Sequence, residues 1–201
     1  QALMGPCEIR IGGLLALCLT AALSLAAAQA ESAGPFELGQ KVVTEHKVKS
    51  LVGPSVQIDD DGAVSLAWME EDKDVRSVRY ARSAQPGGPM GVPVRINRPE
   101  EIAYWRQEAP ALVVKGDEVF VTWGLAHPKA TPQQPLATEL RLSRSSDGGK
   151  TFQPSVLVND DPGVIQHTFD ALHRDVDGRL HLAWIDAREG KKEPGTYVAR
   201  W

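Results

Sequence analysis

The sequence predicts an all-β fold of four-stranded antiparallel blades, a β-propeller, and three observations carry that prediction. A strand pattern recurs as Val64-x-Leu66-x-Trp68, Val119-x-Val121-x-Trp123 and Leu180-x-Leu182-x-Trp184, its tryptophans 55 and 61 residues apart. Asp-Gly or Gly-Asp turn signals precede each copy, at Asp61-Gly62, Gly116-Asp117 and Asp177-Gly178. Beyond residue 30 nothing sustains the 3.6-residue period of a helix.

Each repeat supplies its strands in the same order. A first strand runs over 54–58, 110–114 and 170–174, and the tryptophan strand over 64–68, 119–123 and 180–184. A third follows a variable polar loop, at 77–82, 140–144 and 196–200, and a fourth is visible twice, at 92–97 and 154–159. Strict alternation predicts one buried face per strand. Four antiparallel strands in roughly 55 residues make one blade, so the blades span about 50–98, 106–160 and 167–201. Residues 31–49 read as a polar lead-in with one β-like piece at 40–44.

The first thirty residues are of different material. A short basic start is followed by an apolar run from Ile11 to Ala28, then Ala28-Gln29-Ala30 before Glu31. That order describes a secretory signal peptide cut after Ala30, which makes the protein secreted or periplasmic. The run is also near the length of a membrane anchor, but the small-residue exit favours cleavage and predicts no span in the mature chain. Cys7 and Cys18 both lie in the leader, so the mature chain holds together without disulfides. The chain is 42% apolar and 24% charged, with a net charge of −4 and no basic run, which argues against a nucleic-acid partner.

One turn is richer than the others. Ser145, Asp147, Gly149, Thr151 and Phe152 form a Ser-x-Asp-x-Gly-x-Thr-aromatic pattern between a third and a fourth strand. Asp147 is placed to accept N–H bonds of its own turn, Gly148 and Gly149 permit positive φ, Ser145 and Thr151 tie the arms, and Phe152 plugs the space beneath. The pattern resembles the Asp box, or bacterial neuraminidase repeat, of sialidase-type β-propellers. The first repeat carries a degraded version at Ser83-Ala-Gln-Pro-Gly-Gly88. The resemblance implies a six-bladed ring, of which this chain supplies about half as an N-terminal fragment. It also implies that substrate binds on the face opposite the Asp boxes.

Topology assigns candidate ligand residues to that face, where the loops after each tryptophan and the links between blades lie. The loops hold Glu70, Glu71 and Asp72, then His127 and Lys129, then Asp186 and Arg188; the links hold Arg98, Glu100, Glu101 and Tyr104 to Glu108, then Asp160, Asp161, His167 and Asp170. Two groups stand out. Tyr104, Trp105, Arg106 and Glu108 offer aromatic platforms, a guanidinium and a carboxylate just before an inner strand, suited to a sugar ring and its carboxylate. Asp186 and Arg188 leave a tryptophan strand on the same side. The plainer readings are that Asp186 and Arg188 pair with each other and that Trp105 fills space between blades. Arg82, Arg144 and Arg200 recur at one blade position and read as part of the repeat. The histidines lack partners at ligand spacing and the Asp-rich turns lack a full calcium loop, so no metal and no cofactor is expected.

Sialidases, as the resemblance implies, use three arginines, a Tyr/Glu nucleophile and an acid/base Asp. The nearest string to the first-arginine motif, Val94-Arg95-Ile96-Asn97, lacks its aromatic and proline, so no catalytic residue is assigned here. Two functions remain open: an exported glycosidase of exo-α-sialidase type, and a non-catalytic propeller that binds glycans or a secreted protein partner.

Overall fold

The computed structural model describes residues 50–73, 75–104, 108–191 and 198–200. The expected leader, residues 1–30, and the expected lead-in, residues 31–49, lie outside the described residues, as do Asp74, Trp105 and Arg106. Among the described residues no helix is long and apolar enough to cross a membrane.

The chain forms three successive antiparallel sheets. The first contains β1 (Ser50–Ile58), β2 (Val64–Asp72), β3 (Val75–Arg82) and β4 (Val94–Arg95). The second repeats it with β5 (Ala111–Lys115), β6 (Glu118–Ala126), β7 (Thr138–Ser145) and β8 (Val156–Leu157). The third has β9 (His167–Arg174), β10 (Leu180–Asp186) and β11 (Val198–Arg200). Strands pair in chain order within each sheet, and β5 packs against both β1 and β9. The first strands therefore stand side by side, as they do around a propeller axis.

Several strands differ in extent from expectation, each for a local reason. Strand β2 continues through Asp72, so Glu70, Glu71 and Asp72 are strand residues rather than loop residues. Cross-strand ion pairs hold that extension, Glu70 to Arg79 at 2.5 Å and Glu71 to Arg76 at 3.0 Å. Strand β9 begins at His167, which pairs with Asp186, so His167 and Asp170 are strand residues rather than link residues. The fourth strands shrink to two residues each. There the ladder is continued by a side chain: Asn97 Oδ1 accepts from Val78 N–H at 2.8 Å, and Asn159 Oδ1 from Leu140 N–H at 2.8 Å.

The expectation of one buried face per strand is also corrected. In β6 every residue from Val119 to Leu125 is buried, because a middle sheet is covered on both sides. Val119, Val121 and Trp123 lie with Leu112 and Val114 against Ala67, Met69, Val78 and Tyr80 of the first sheet, all in one core cluster. In β2 the buried set is the alternate one, Ser65, Ala67 and Met69, and Val64, Leu66 and Trp68 are only half-buried.

The Ser145–Phe152 turn is closed by its own side chains. Asp147 accepts from Thr151 N–H at 2.9 Å, Thr151 Oγ1 at 2.6 Å and Ser145 Oγ at 2.7 Å, while Ser145 Oγ accepts from Gly149 N–H at 2.9 Å. Phe152 meets Tyr80 of the first sheet edge-on, ring centroids 5.5 Å apart.

Candidate functional site

Within the second sheet, Gly148 N–H bonds to the Asp117 carbonyl at 2.9 Å, so the Ser145–Phe152 turn shares an end with the β5–β6 turn. The starts of β5 and β9 and the ends of β6 and β10 occupy the other end, where the candidates fall.

Tyr104 lies there but is buried, not the exposed platform expected of it. Its N–H bonds to Gly124 O at 2.8 Å, and Ala103 bridges Leu125, so this segment runs along the end of β6. It packs closely over Gly124, where a Cβ would stand in ordinary van der Waals contact, 3.5 Å from Tyr104 Cβ and 3.9 Å from Glu108 Oε2. Trp105 and Arg106 lie outside the described residues.

Asp186 and Arg188 are joined to each other. Arg188 grips Asp186 with Nε to Oδ1 at 2.9 Å and a terminal nitrogen to Oδ2 at 2.7 Å, and reaches Asp160 at 2.6 Å. Asp186 is fully buried. Burial alone would raise its pKa, but the Arg188 bonds outweigh this and lower it. Trp184 Nε1 also donates to Asp186, at 3.4 Å. A related arrangement stands in the first sheet, where Trp68 Nε1 and Arg79 Nε both donate to buried Glu70. In both sheets the acid two residues after the tryptophan meets its indole N–H and an arginine, but the arginine comes from β3 in the first sheet and from the turn after β10 in the third. Asp186 and Arg188 pair with each other, as the plainer reading has it. In the second sheet Leu125 takes the acid's place, and Trp123 Nε1 is buried with no hydrogen-bond partner among the described residues.

Register corrects one repeat assignment. Arg82 pairs with Ser65 and Arg144 with Phe120, three residues before each tryptophan, but Arg200 pairs with Trp184 itself. Arg200 is thus the counterpart of Arg79 and Arg141, not of Arg82 and Arg144.

Glu108 is brought to a group that the sequence reading did not single out. It is 8% exposed, and its Oε2 accepts the Phe169 N–H at 3.3 Å. Burial pushes its carboxyl up to about 7, with the Asp170 charge adding to the rise and the Phe169 bond opposing it. Asp170 accepts a hydrogen bond from Thr122 Oγ1 in β6, and burial raises its pKa as well. Between them Phe169 has φ 52° and is 60% exposed. A bulky residue with positive φ is an outlier that marks local strain.

His167 is fully buried; its Nδ1 lies 2.7 Å from the Thr138 carbonyl and its Nε2 3.7 Å from Asp186 Oδ2. A carbonyl only accepts, so Nδ1 carries the proton. Among the described residues no group of His, Cys, Asp and Glu is placed to hold a metal ion. The Asp-rich turns are engaged otherwise, Asp59 with Arg82 and Gly116 N–H, and Asp175 with His181. A cavity of about 550 Å³ opens beside Gln57, Lys115, His173 and Arg174 at the Ser145–Phe152 end, where Lys115 pairs with Asp60 and Arg174 with Glu118.

No family model matches the chain, and no curated protein does. Solved structures do. An α-L-arabinanase from Penicillium chrysogenum is 12% identical over 74% of this chain and 44% of its own, TM-score 0.48. An α-L-arabinofuranosidase from Lactobacillus brevis is 15% identical over 71% and 48%, TM-score 0.45. A GH43 β-xylosidase/α-arabinofuranosidase from a compost metagenome is 12% identical over 66% and 42%, TM-score 0.43. The chain thus spans less than half the length of each of these. With both measures this low, the fold stands on its own strand pairings.

Proposed function

We propose that this chain is part of an exported, sialidase-like β-propeller that acts on or binds a glycan where Glu108, Phe169 and Asp170 meet. The carrying observation is the meeting itself: the Glu108 carboxyl, pushed up to about 7, sits on the backbone N–H of exposed Phe169, and the next residue, Asp170, supplies a second carboxyl. Glycoside cleavage uses a pair of carboxyl groups, and aromatic faces suit sugar rings. The leader-like sequence at residues 1–30 supports export, and the resemblance of the Ser145–Phe152 turn to an Asp box supports a six-bladed ring of sialidase type.

A non-catalytic glycan-binding role is the second reading, and Arg188 favours it. Its guanidinium is engaged by Asp186 and Asp160, which leaves it no fork for a sugar carboxylate. One experiment separates the two. The full-length secreted protein is applied to a glycan array and to a panel of fluorogenic glycosides that includes an α-sialoside, with Glu108→Gln and Asp170→Asn alongside. Turnover that either substitution abolishes supports an enzyme. Array binding without turnover supports the binding role. Neither signal from folded protein rejects the glycan reading.

A further inference from the structure

We propose that Phe169 is the ligand-contacting ring of this site, a platform for the C–H face of a sugar, and that Glu108 is the residue that positions it. The inference rests on the glycan reading above and adds the contact residue to it.

Comparing the three sheets makes the case. Ser55, Ala111 and Ala171 each pair with the residue just before a tryptophan: Ala67, Thr122 and Ala183. Two residues upstream of them stand Gly53-Pro54, Ala109-Pro110 and Phe169-Asp170. In two sheets the dipeptide is a small residue and a proline; in the third it is an aromatic and an acid. The position lies where first strands meet, since a Cβ on Gly53 would stand 3.3 Å from Ala109 Cβ. Ser55 Oγ donates to the Pro110 carbonyl across the same junction, at 2.5 Å. The next junction is built differently: Thr122 Oγ1 donates to the Asp170 carboxylate. Repeats depart from their own pattern most often where function asks for it.

Register shifts between Ala183 and Ile185, so Phe169 and Asp170 form a bulge on β9, just as Gly53 and Pro54 do on β1 opposite Trp68. The bulge belongs to the repeat; what sets the third copy apart is the residue type it carries there and the positive φ of Phe169. Phe169 holds φ 52° and is 60% exposed. Its neighbours fix the bulge from three sides. Thr168 is buried and pairs with Ile185, Asp170 is tied to Thr122, and Glu108 accepts the Phe169 N–H. Strain that its surroundings over-determine is characteristic of ligand clamps. The rival assignment is that Phe169 is a filler awaiting another sheet.

The test uses the full-length protein with Phe169→Gly, Phe169→Trp, Glu108→Gln and Glu108→Leu, measuring thermal stability and binding to an array of neutral and sialylated glycans. Glycine accepts the left-handed conformation, so Phe169→Gly is expected to raise Tm by about 2–4 °C and weaken glycan binding about tenfold or more. Phe169→Trp keeps binding. Glu108→Gln keeps an acceptor for the Phe169 N–H and keeps binding, whereas Glu108→Leu loses it. A fall in Tm for Phe169→Gly identifies a filler and overturns the inference. So does binding that Phe169→Gly leaves intact, in which case the glycan reading survives without it. Absence of wild-type binding overturns the glycan reading and this inference together.

Discussion

Gly149 in the second sheet's turn lies against the ring of Tyr80 in the first: a Cβ at 149 would stand 1.9 Å from Tyr80 Cε1 and 2.5 Å from Cδ1. The ring has little room to retreat, because Tyr80 is buried and its hydroxyl is bonded to Ser65 Oγ at 2.8 Å. Gly149 also holds φ 86°. Steric overlap and a disfavoured conformation therefore act together, and Gly149→Ala is expected to cost about 3 kcal/mol or more. Gly148→Ala is the internal control, with φ 73° but its nearest neighbour, Asp117 Oδ1, at 3.3 Å. It should cost only about 1 kcal/mol. Urea denaturation of both variants checks this, and equal losses would refute the steric account.

Asp147 in the same turn is held well below the usual carboxylate range, first by Thr151 Oγ1, then by Ser145 Oγ and the Thr151 N–H. A carboxyl with a depressed folded pKa contributes stability above its unfolded pKa, about 3.9, and loses it as pH falls through the folded value. Asp147→Asn should therefore be less stable than wild type at neutral pH, with the gap closing only below about pH 4. Thermal melts from pH 7 to pH 2 measure it. A gap that already closes at pH 5 would mean that the bonds do not depend on the charge.

The turn was legible because its interactions are local. Ser145, Asp147, Gly149 and Thr151 bond to one another within a few residues, so spacing alone carries the information. Strand order was legible for a similar reason, through the tryptophan pattern and its Asp-Gly turns. What depends on the neighbouring sheet was not. Tyr104 reads as a platform in isolation and is buried because its segment pairs along the end of β6, Tyr104 N–H to Gly124 O and Ala103 to Leu125. Phe169 and Asp170 become conspicuous only once register aligns them with Gly53-Pro54 and Ala109-Pro110. Prolines 54 and 110 and Asp170 were all visible as strand starts; the missed signal was the change of type at the third copy.

Arg188 provides a test of how the buried Asp186 is held. Its removal would leave Asp186, fully buried, without its main counter-charge. Arg188→Ala is accordingly expected to cost about 3–5 kcal/mol. Asp160, whose side chain is 78% exposed, contributes only a solvent-screened surface pair, and Asp160→Ala should leave the Tm nearly unchanged. A folded Arg188→Ala protein of unchanged stability that no longer binds glycan would return Arg188 to the ligand site.

Glu108 should make the fold less stable as pH rises. Its folded pKa of about 7 lies above the ordinary value because burial penalises the ionised form. Between about pH 4.3 and pH 7 the folded chain therefore holds a proton at Glu108 that the unfolded chain has released. Its contribution is fully present below that window and is lost as pH climbs through it. Glutamine keeps the shape and an acceptor but carries no charge, so Glu108→Gln should melt above wild type at pH 8 and converge with it near pH 4. Because the Asp170 charge adds to the rise, the gap at pH 8 should shrink in an Asp170→Asn background. Thermal melts of the four proteins across pH 4–8 read both effects. A Glu108→Gln variant less stable than wild type at pH 8 would mean that the carboxylate form is the one the fold prefers, and that burial is not what governs this site.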